Sequence, residues 1–160
     1  MQNRLALIGF GEAGSTFARA GGWGEGAAAF DILPERGVVM AGLGIRAASS
    51  AAEAVRDAPL VLSLVTAVQA ISAAKACAGH LAPGALWCDM NSVAPDTKRA
   101  AAREIEAAGG RYIDVAVLAP VRPSGMAVPL LIAGPAADEA LALLLQAGFT
   151  NTQIAGAEVG

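Results

Sequence analysis

The run Leu5-Ala6-Leu7-Ile8-Gly9-Phe10-Gly11-Glu12-Ala13-Gly14 constrains this chain more than any other stretch, because an apolar segment breaks there into glycines spaced G-x-G-x-x-G. In that spacing Gly9 allows a tight exit from a strand, Gly11 lets backbone approach a pyrophosphate, and Gly14 lets the next helix pack close to the strand. The unpaired N–H groups at the helix start, together with the positive end of its dipole, then face an anion. A chain with 19 glycines can produce the spacing by coincidence. The pattern therefore needs a strand before it, a helix after it, and an acid about twenty residues on.

Arg4 to Gly9 reads as a strand buried on both faces, and Glu12 to Ala20 as a helix closed by Gly21-Gly22. Ala27 to Asp31 is a second apolar run that ends in an acid, with Pro34 as a breaker. Asp31 follows Gly9 by 22 positions, where a carboxylate at the end of the second strand accepts hydrogen bonds from adenosine ribose hydroxyls. The other reading of Asp31 is a solvated turn residue before Leu33-Pro34. Arg36 is placed to meet a 2′-phosphate, but Asp31 would repel that group, so NAD is favoured over NADP.

Past a glycine-punctuated loop, Gly44 to Ala48 is a third short strand, and Ser50-Ala51-Ala52-Glu53 is a capping box opening a short helix. Leu60 to Val65 is the fourth strand, Val68 to Ala78 a helix, Ala85 to Asp89 the fifth strand, and Pro95 to about Ala108 a helix. Tyr112 to Val117 and Pro129 to Ala133 are the sixth and seventh strands, Ala137 to Ala147 is an apolar helix, and Gln153-Ile154-Ala155 closes the sheet. The alternation predicts an α/β fold: a Rossmann-type, doubly wound, mostly parallel sheet in three layers. At 160 residues a single dinucleotide-binding domain, 1–160, is expected.

Composition removes several function classes. A net charge of −3 offers no basic footprint for nucleic acid. The longest uncharged stretch, Ala58 to Ala74, is interrupted by Pro59, Ser63, Thr66, Gln69 and Ser72, so no membrane span is expected, and no basic segment precedes the first apolar run. A cytoplasmic location is the resulting expectation. Cys77, Cys88 and one histidine suggest neither a zinc site nor a disulfide framework, and no metal is assigned. Both cysteines read as reduced structural thiols, Trp87 as core or interface, and His80 as an exposed residue at a helix C-terminus.

Three polar places remain. Val65-Thr66-Ala67 follows the carboxyl end of a strand, the edge at which open α/β sheets bind ligands. The cluster from Asp89 to Arg99 lies between a buried strand and a helix with Pro95 in its first turn, and reads equally as a site or as ordinary capping. Lys98, Arg99, Arg103, Glu104 and Glu106 mark a solvated stretch of that helix. Arg122, in the proline-rich loop from Leu118 to Met126, either contacts an anionic substrate or is solvated.

With these landmarks in order, the chain resembles the NAD-binding domain of the β-hydroxyacid dehydrogenase family, which includes 6-phosphogluconate and 3-hydroxyisobutyrate dehydrogenases. The resemblance rests on Ile8 to Gly14, Leu64-Val65-Thr66, Asp89-Met90-Asn91-Ser92 with Pro95, and Pro129 to Gly134. It implies that Gly9, Phe10, Gly11, Glu12, Ala13, Gly14 and Asp31 hold the cofactor. Val65 and Thr66 would line the nicotinamide side, and Asn91 and Ser92 would face cofactor and substrate hydroxyls. The implied function is an oxidoreductase acting on the CH–OH of a small β-hydroxy acid, phosphogluconate-like with decarboxylation in one branch, and a homo-oligomer in its full-length form.

Two departures bear on that expectation. Leu118-Ala119-Pro120 stands where the family has its Ser-Gly-Gly substrate loop. The family's general base is a lysine on a long helix after this domain, and neither Lys75 nor Lys98 matches it. No catalytic residue is therefore assigned, and the family's α-helical C-terminal domain is expected to be absent from these 160 residues. The apolar excess, 55% hydrophobic against 16% charged, fits surface meant for that half. The alternative is a non-catalytic dinucleotide-binding or sensing module.

Overall fold

The computed structural model describes residues 4–160. In chain order the elements are β1 (Leu5–Ile8), α1 (Glu12–Gly21), β2 (Ala27–Phe30), α2 (Arg36–Gly42), β3 (Arg46–Ala47), α3 (Ala51–Val55), β4 (Leu60–Ser63) and α4 (Ala70–Ala78). They continue with β5 (Leu86–Asp89), α5 (Pro95–Ala107), β6 (Arg111–Val117), the short α6 (Val121–Ser124), β7 (Leu130–Ala133), α7 (Ala137–Ala147) and β8 (Thr152–Gly156). The eight strands form one sheet in the order β3-β2-β1-β4-β5-β6-β7-β8. All neighbours are parallel except β6 and β7, which run antiparallel. The chain order reverses between β1 and β4, which opens a crevice at the carboxyl ends of those strands.

The alternation of side chains along each strand builds the layers. Leu5 and Leu7 enter a core on one face with Phe10, Phe17, Leu62, Leu86, Ile113 and Phe149, while Ala6 and Ile8 enter a core on the other face with Val55, Val61, Trp87, Ile105 and Tyr112. Helix α1 covers the first face, and its Phe17 ring meets Phe149, just after α7, edge-on at 5.1 Å. Helices α3, α4 and α5 cover the second face. Trp87 is core, and its indole N–H has no partner among the described residues. Cys77 and Cys88 are both free and buried.

Two local expectations need correction. The segment expected to be a glycine-punctuated loop contains α2. Gly37 and Gly42 weaken a helix by about 1 kcal/mol each relative to alanine, but Met40 is buried in the same core as Phe17 and so ties the turn down. Lys98, expected on a solvated stretch, is buried. It shares the inward stripe of α5 with Ala101, Ala102 and Ile105, the i, i+3, i+4, i+7 spacing of a core-facing helix.

Two properties bear on partners. Among the described residues no helix is long and apolar enough to cross a membrane. No group of His, Cys, Asp and Glu among them is arranged to hold a metal ion.

Candidate cofactor and substrate site

The parallel register lines up the strand ends. Phe30, Ile8, Ser63, Asp89 and Asp114 form one row of paired Cα positions across β2, β1, β4, β5 and β6. The loops that leave β1, β2, β4 and β5 are thereby delivered to the same edge. The ladder continues one step further, with the Gly9 N–H donating to Phe30 O and the Leu64 N–H to Ile8 O, both at 2.8 Å.

Gly9 has φ +99° and passes so near the exit of β4 that a Cβ would lie 2.1 Å from the Leu64 carbonyl oxygen. No side chain fits there. A Cβ on Gly14 would lie 2.8 Å from Gly9 O, so this glycine sets how closely α1 approaches the turn. At Gly11 a Cβ would meet nothing within 4 Å, and the space beside the loop is open. Gly11 is also the N-cap of α1 and supplies no side-chain cap. The first-turn N–H groups, which have no intrahelical acceptor, are therefore available to an anion. At Glu12 and Ala13 it is these backbone groups that could meet an anion, because the Glu12 carboxylate is exposed and would repel a phosphate. The Phe10 ring is fully buried, and its N–H donates to Asp31 Oδ2 at 2.7 Å.

Asp31 stands just past β2. Its Oδ1 accepts from the Leu33 N–H at 2.9 Å, so each carboxylate oxygen holds one backbone donor and keeps lone pairs for another. It thus combines the turn role and the cleft position that the sequence left as alternatives. A cleft of about 530 Å³ brings Gly9, Gly11, Asp31, Arg36, Val65 and Thr66 together. The Arg36 Nε is buried without a hydrogen-bond partner.

Beyond Val65 lies a second groove of about 560 Å³, lined by Asn91, Ser92, Pro95, Lys98, Asp114 and Leu118 among others. Asn91 joins the two spaces. Its Oδ1 accepts from the Val65 N–H at 2.7 Å, and its Nδ2 donates to Ser63 Oγ at 3.0 Å and to Asp89 Oδ1 at 2.8 Å. Both amide hydrogens are thus engaged within the protein, and toward a ligand Asn91 can only accept. Ser92 is exposed at the groove. Arg122 does not line it: the side chain is exposed, and Nε donates to Thr16 Oγ1 on α1 at 3.3 Å.

Beneath Asn91 is a buried ionic cluster that the sequence reading missed. Lys98 Nζ donates to Asp89 O at 2.7 Å and Val115 O at 3.3 Å, and pairs with Asp114 Oδ1 at 2.9 Å. Tyr112 OH donates to Asp89 Oδ2 at 2.6 Å. Burial first, and then the Asp89 carboxylate, push the Tyr112 phenol far above its usual value, so it remains a donor. The inward stripe of α5 was the sequence signal that could have placed Lys98 here.

Residues 4–139 match the NAD binding domain of 6-phosphogluconate dehydrogenase. No curated protein matches the chain. A solved structure of a conserved hypothetical protein from Sinorhizobium meliloti 1021 is 34% identical, with a TM-score of 0.90, across 100% of this chain and 56% of its own. A 3-hydroxyisobutyrate dehydrogenase of Mycobacterium tuberculosis, solved with L-serine, is 22% identical, with a TM-score of 0.86 over 98% of this chain and 55% of that one. An imine reductase from Pseudomonas sp. is 20% identical, with a TM-score of 0.84 over 99% and 57%. The last two show the fold alone. This chain spans little more than half the length of these structures. A match over so much of the sequence, with a relative 34% identical across all of it, makes the chain a member of the family of the 6-phosphogluconate dehydrogenase NAD-binding domain.

Proposed function

We propose that residues 1–160 form the cofactor-binding part of an oxidoreductase that interconverts the CH–OH of a small hydroxy acid and the corresponding carbonyl. The observation that carries this reading is the glycine cradle: Gly9 and Gly14 sit where a Cβ would strike backbone, and Gly11 faces open space in the same cleft as Asp31. A dinucleotide fits these residues. The first turn of α1 would take the pyrophosphate, Asp31 the adenosine ribose, and Val65 with Thr66 the nicotinamide side. The bound nicotinamide would supply hydride exchange at C4. Ser92 would orient a substrate hydroxyl in the adjoining groove.

The residues present do not include the base that removes the hydroxyl proton. Lys75 is exposed on α4 and lines neither cavity, and all three donors of Lys98 are engaged. By the family resemblance, the base would be a lysine on a helix of an α-helical second domain. The full-length form would be a cytoplasmic homo-oligomer. A phosphogluconate-like substrate with decarboxylation fits the Asn91-Ser92 pair, whereas Arg122, turned toward Thr16, would need to swing away to meet an anion.

NAD is favoured over NADP because the Asp31 carboxylate would repel a 2′-phosphate. The unpartnered Arg36 Nε in the same cleft supports the opposite preference, so the test compares both. Calorimetry of the chain should show NADH binding more tightly than NADPH, and Asp31→Ala should weaken NADH more than NADPH. Equal losses would sink the ribose assignment, and a folded chain that takes up neither nucleotide would remove the whole reading. Because no base is placed here, a non-catalytic dinucleotide-binding module is the second reading. It would be favoured if the full-length protein bound NADH and turned over no hydroxy acid.

A further inference from the structure

We propose that the buried cluster of Lys98, Asp89 and Tyr112 positions the nicotinamide side of the cleft, acting through Asn91 on the Val65-Thr66 loop. The inference rests on the dinucleotide reading above. Asp89 and Asp114 are paired neighbours on adjacent parallel strands, which sets two carboxylates side by side at the sheet edge. Lys98 lies 3.6 Å from Asp89 Oδ1 and 2.9 Å from Asp114 Oδ1, and reaches the carbonyls of β5 and β6 with its remaining hydrogens. Its single positive charge stands between the two carboxylates and fixes the spacing of the two strand ends.

Asp89 passes that constraint onward. Its Oδ1 accepts from both the Asn91 backbone N–H, at 3.0 Å, and Nδ2, at 2.8 Å, while Tyr112 holds Oδ2 and so fixes the rotation of the carboxylate. Asn91 then holds the Val65 N–H. Without Lys98, the fully buried Asp89 faces a second carboxylate with no cation between them, and their repulsion must rotate or displace it. Either response loosens Asn91 and, with it, the Val65-Thr66 loop. The adenosine half is connected differently, since among the described residues Asp31 bonds to the Phe10 and Leu33 backbone. The cluster therefore acts more on the nicotinamide end of the ligand than on the adenosine end.

The test compares NADH with ADP-ribose, which lacks the nicotinamide, by calorimetry on the unsubstituted chain, Lys98→Met and Tyr112→Phe. The unsubstituted chain should bind both. Lys98→Met should weaken NADH about tenfold or more and ADP-ribose by less than about twofold. Tyr112→Phe keeps the ring volume and should show the same selective loss, about threefold or more, so it carries the test if Lys98→Met does not fold. A merely structural cluster would lower both affinities together, and that pattern overturns the proposal, as does no change in either. Failure of the unsubstituted chain to bind NADH overturns the dinucleotide reading and the proposal with it. Normal NADH binding with unselective variants overturns the proposal alone.

Discussion

Gly9 and Gly11 stand two positions apart and obey different constraints. Gly9 combines a positive φ with backbone 2.1 Å from where its Cβ would lie, so Gly9→Ala must displace the exit of β4. Urea unfolding should show a loss of about 2 kcal/mol or more. Gly11 has φ −84° and open space around it. Gly11→Ala should leave stability within about 0.5 kcal/mol while weakening NADH about tenfold, because on the proposed reading the added methyl would stand where the pyrophosphate approaches. Equal stability losses in the two variants would contradict this division. That Gly9 leaves its strand in a tight turn was legible in the spacing alone. The particular obstacle at Gly9 was not, because it is the backbone of Leu64, which is distant in sequence. Lys98 shows the same limit more sharply. Its charged neighbours Arg99, Arg103, Glu104 and Glu106 made the stretch look solvated, and its true partners, Asp89 and Asp114, come together only through the β5–β6 register.

At the scale of elements, local signals were most informative where side chain and backbone interact within a few residues. Ser50 caps α3 by accepting from the Glu53 N–H at 3.1 Å, as the capping box predicted, although Glu53 answers Ser49 Oγ and not the Ser50 backbone. Ser50→Ala should cost about 1 kcal/mol in urea unfolding. NADH affinity should be unchanged, and its loss would show that α3 helps hold the cleft. The apolar helix α7 has the ends its sequence predicts, Ala137 and Ala147. Helix α2 is hidden in the sequence because its glycines argue locally for a loop, while the stabilising contact, Met40 against the core, is tertiary. The loop before β7 likewise hides α6, whose short turn is packed on α1 and has little helical character of its own.

For the molecule as a whole, burial of ionisable groups on both sheet faces sets an alkaline limit to stability. Burial pushes the thiols of Cys77 and Cys88 from near 9 up to about 12. In the unfolded chain they ionise near their usual value, so between about pH 9 and 12 the unfolded state binds fewer protons and stability falls as pH rises. Each thiol contributes a decline of about 1.4 kcal/mol per pH unit. Urea midpoints should therefore drop between pH 9 and 10.5, and Cys88→Ala should flatten that slope; an unchanged slope would mean the thiol is not the source. The doubly covered sheet responsible for this was legible from the alternation of apolar runs, because each run had to bury both faces.

One consequence of the Asn91 junction concerns how such a fold can be retargeted. Its amide hydrogens go to Ser63 and Asp89 and its carbonyl oxygen accepts from the Val65 N–H, whereas the opposite wall of the groove is formed by Ala116, Val117 and Leu118, whose side chains take no part in those bonds. On the proposed reading, the side chains that would meet the other reactant are thus separate from the Asn91 bonds, although their strand, β6, is tied to β5 through Lys98. Side chains on that wall can be exchanged to admit a different molecule while the fastening of the β4 and β5 loops stays as it is.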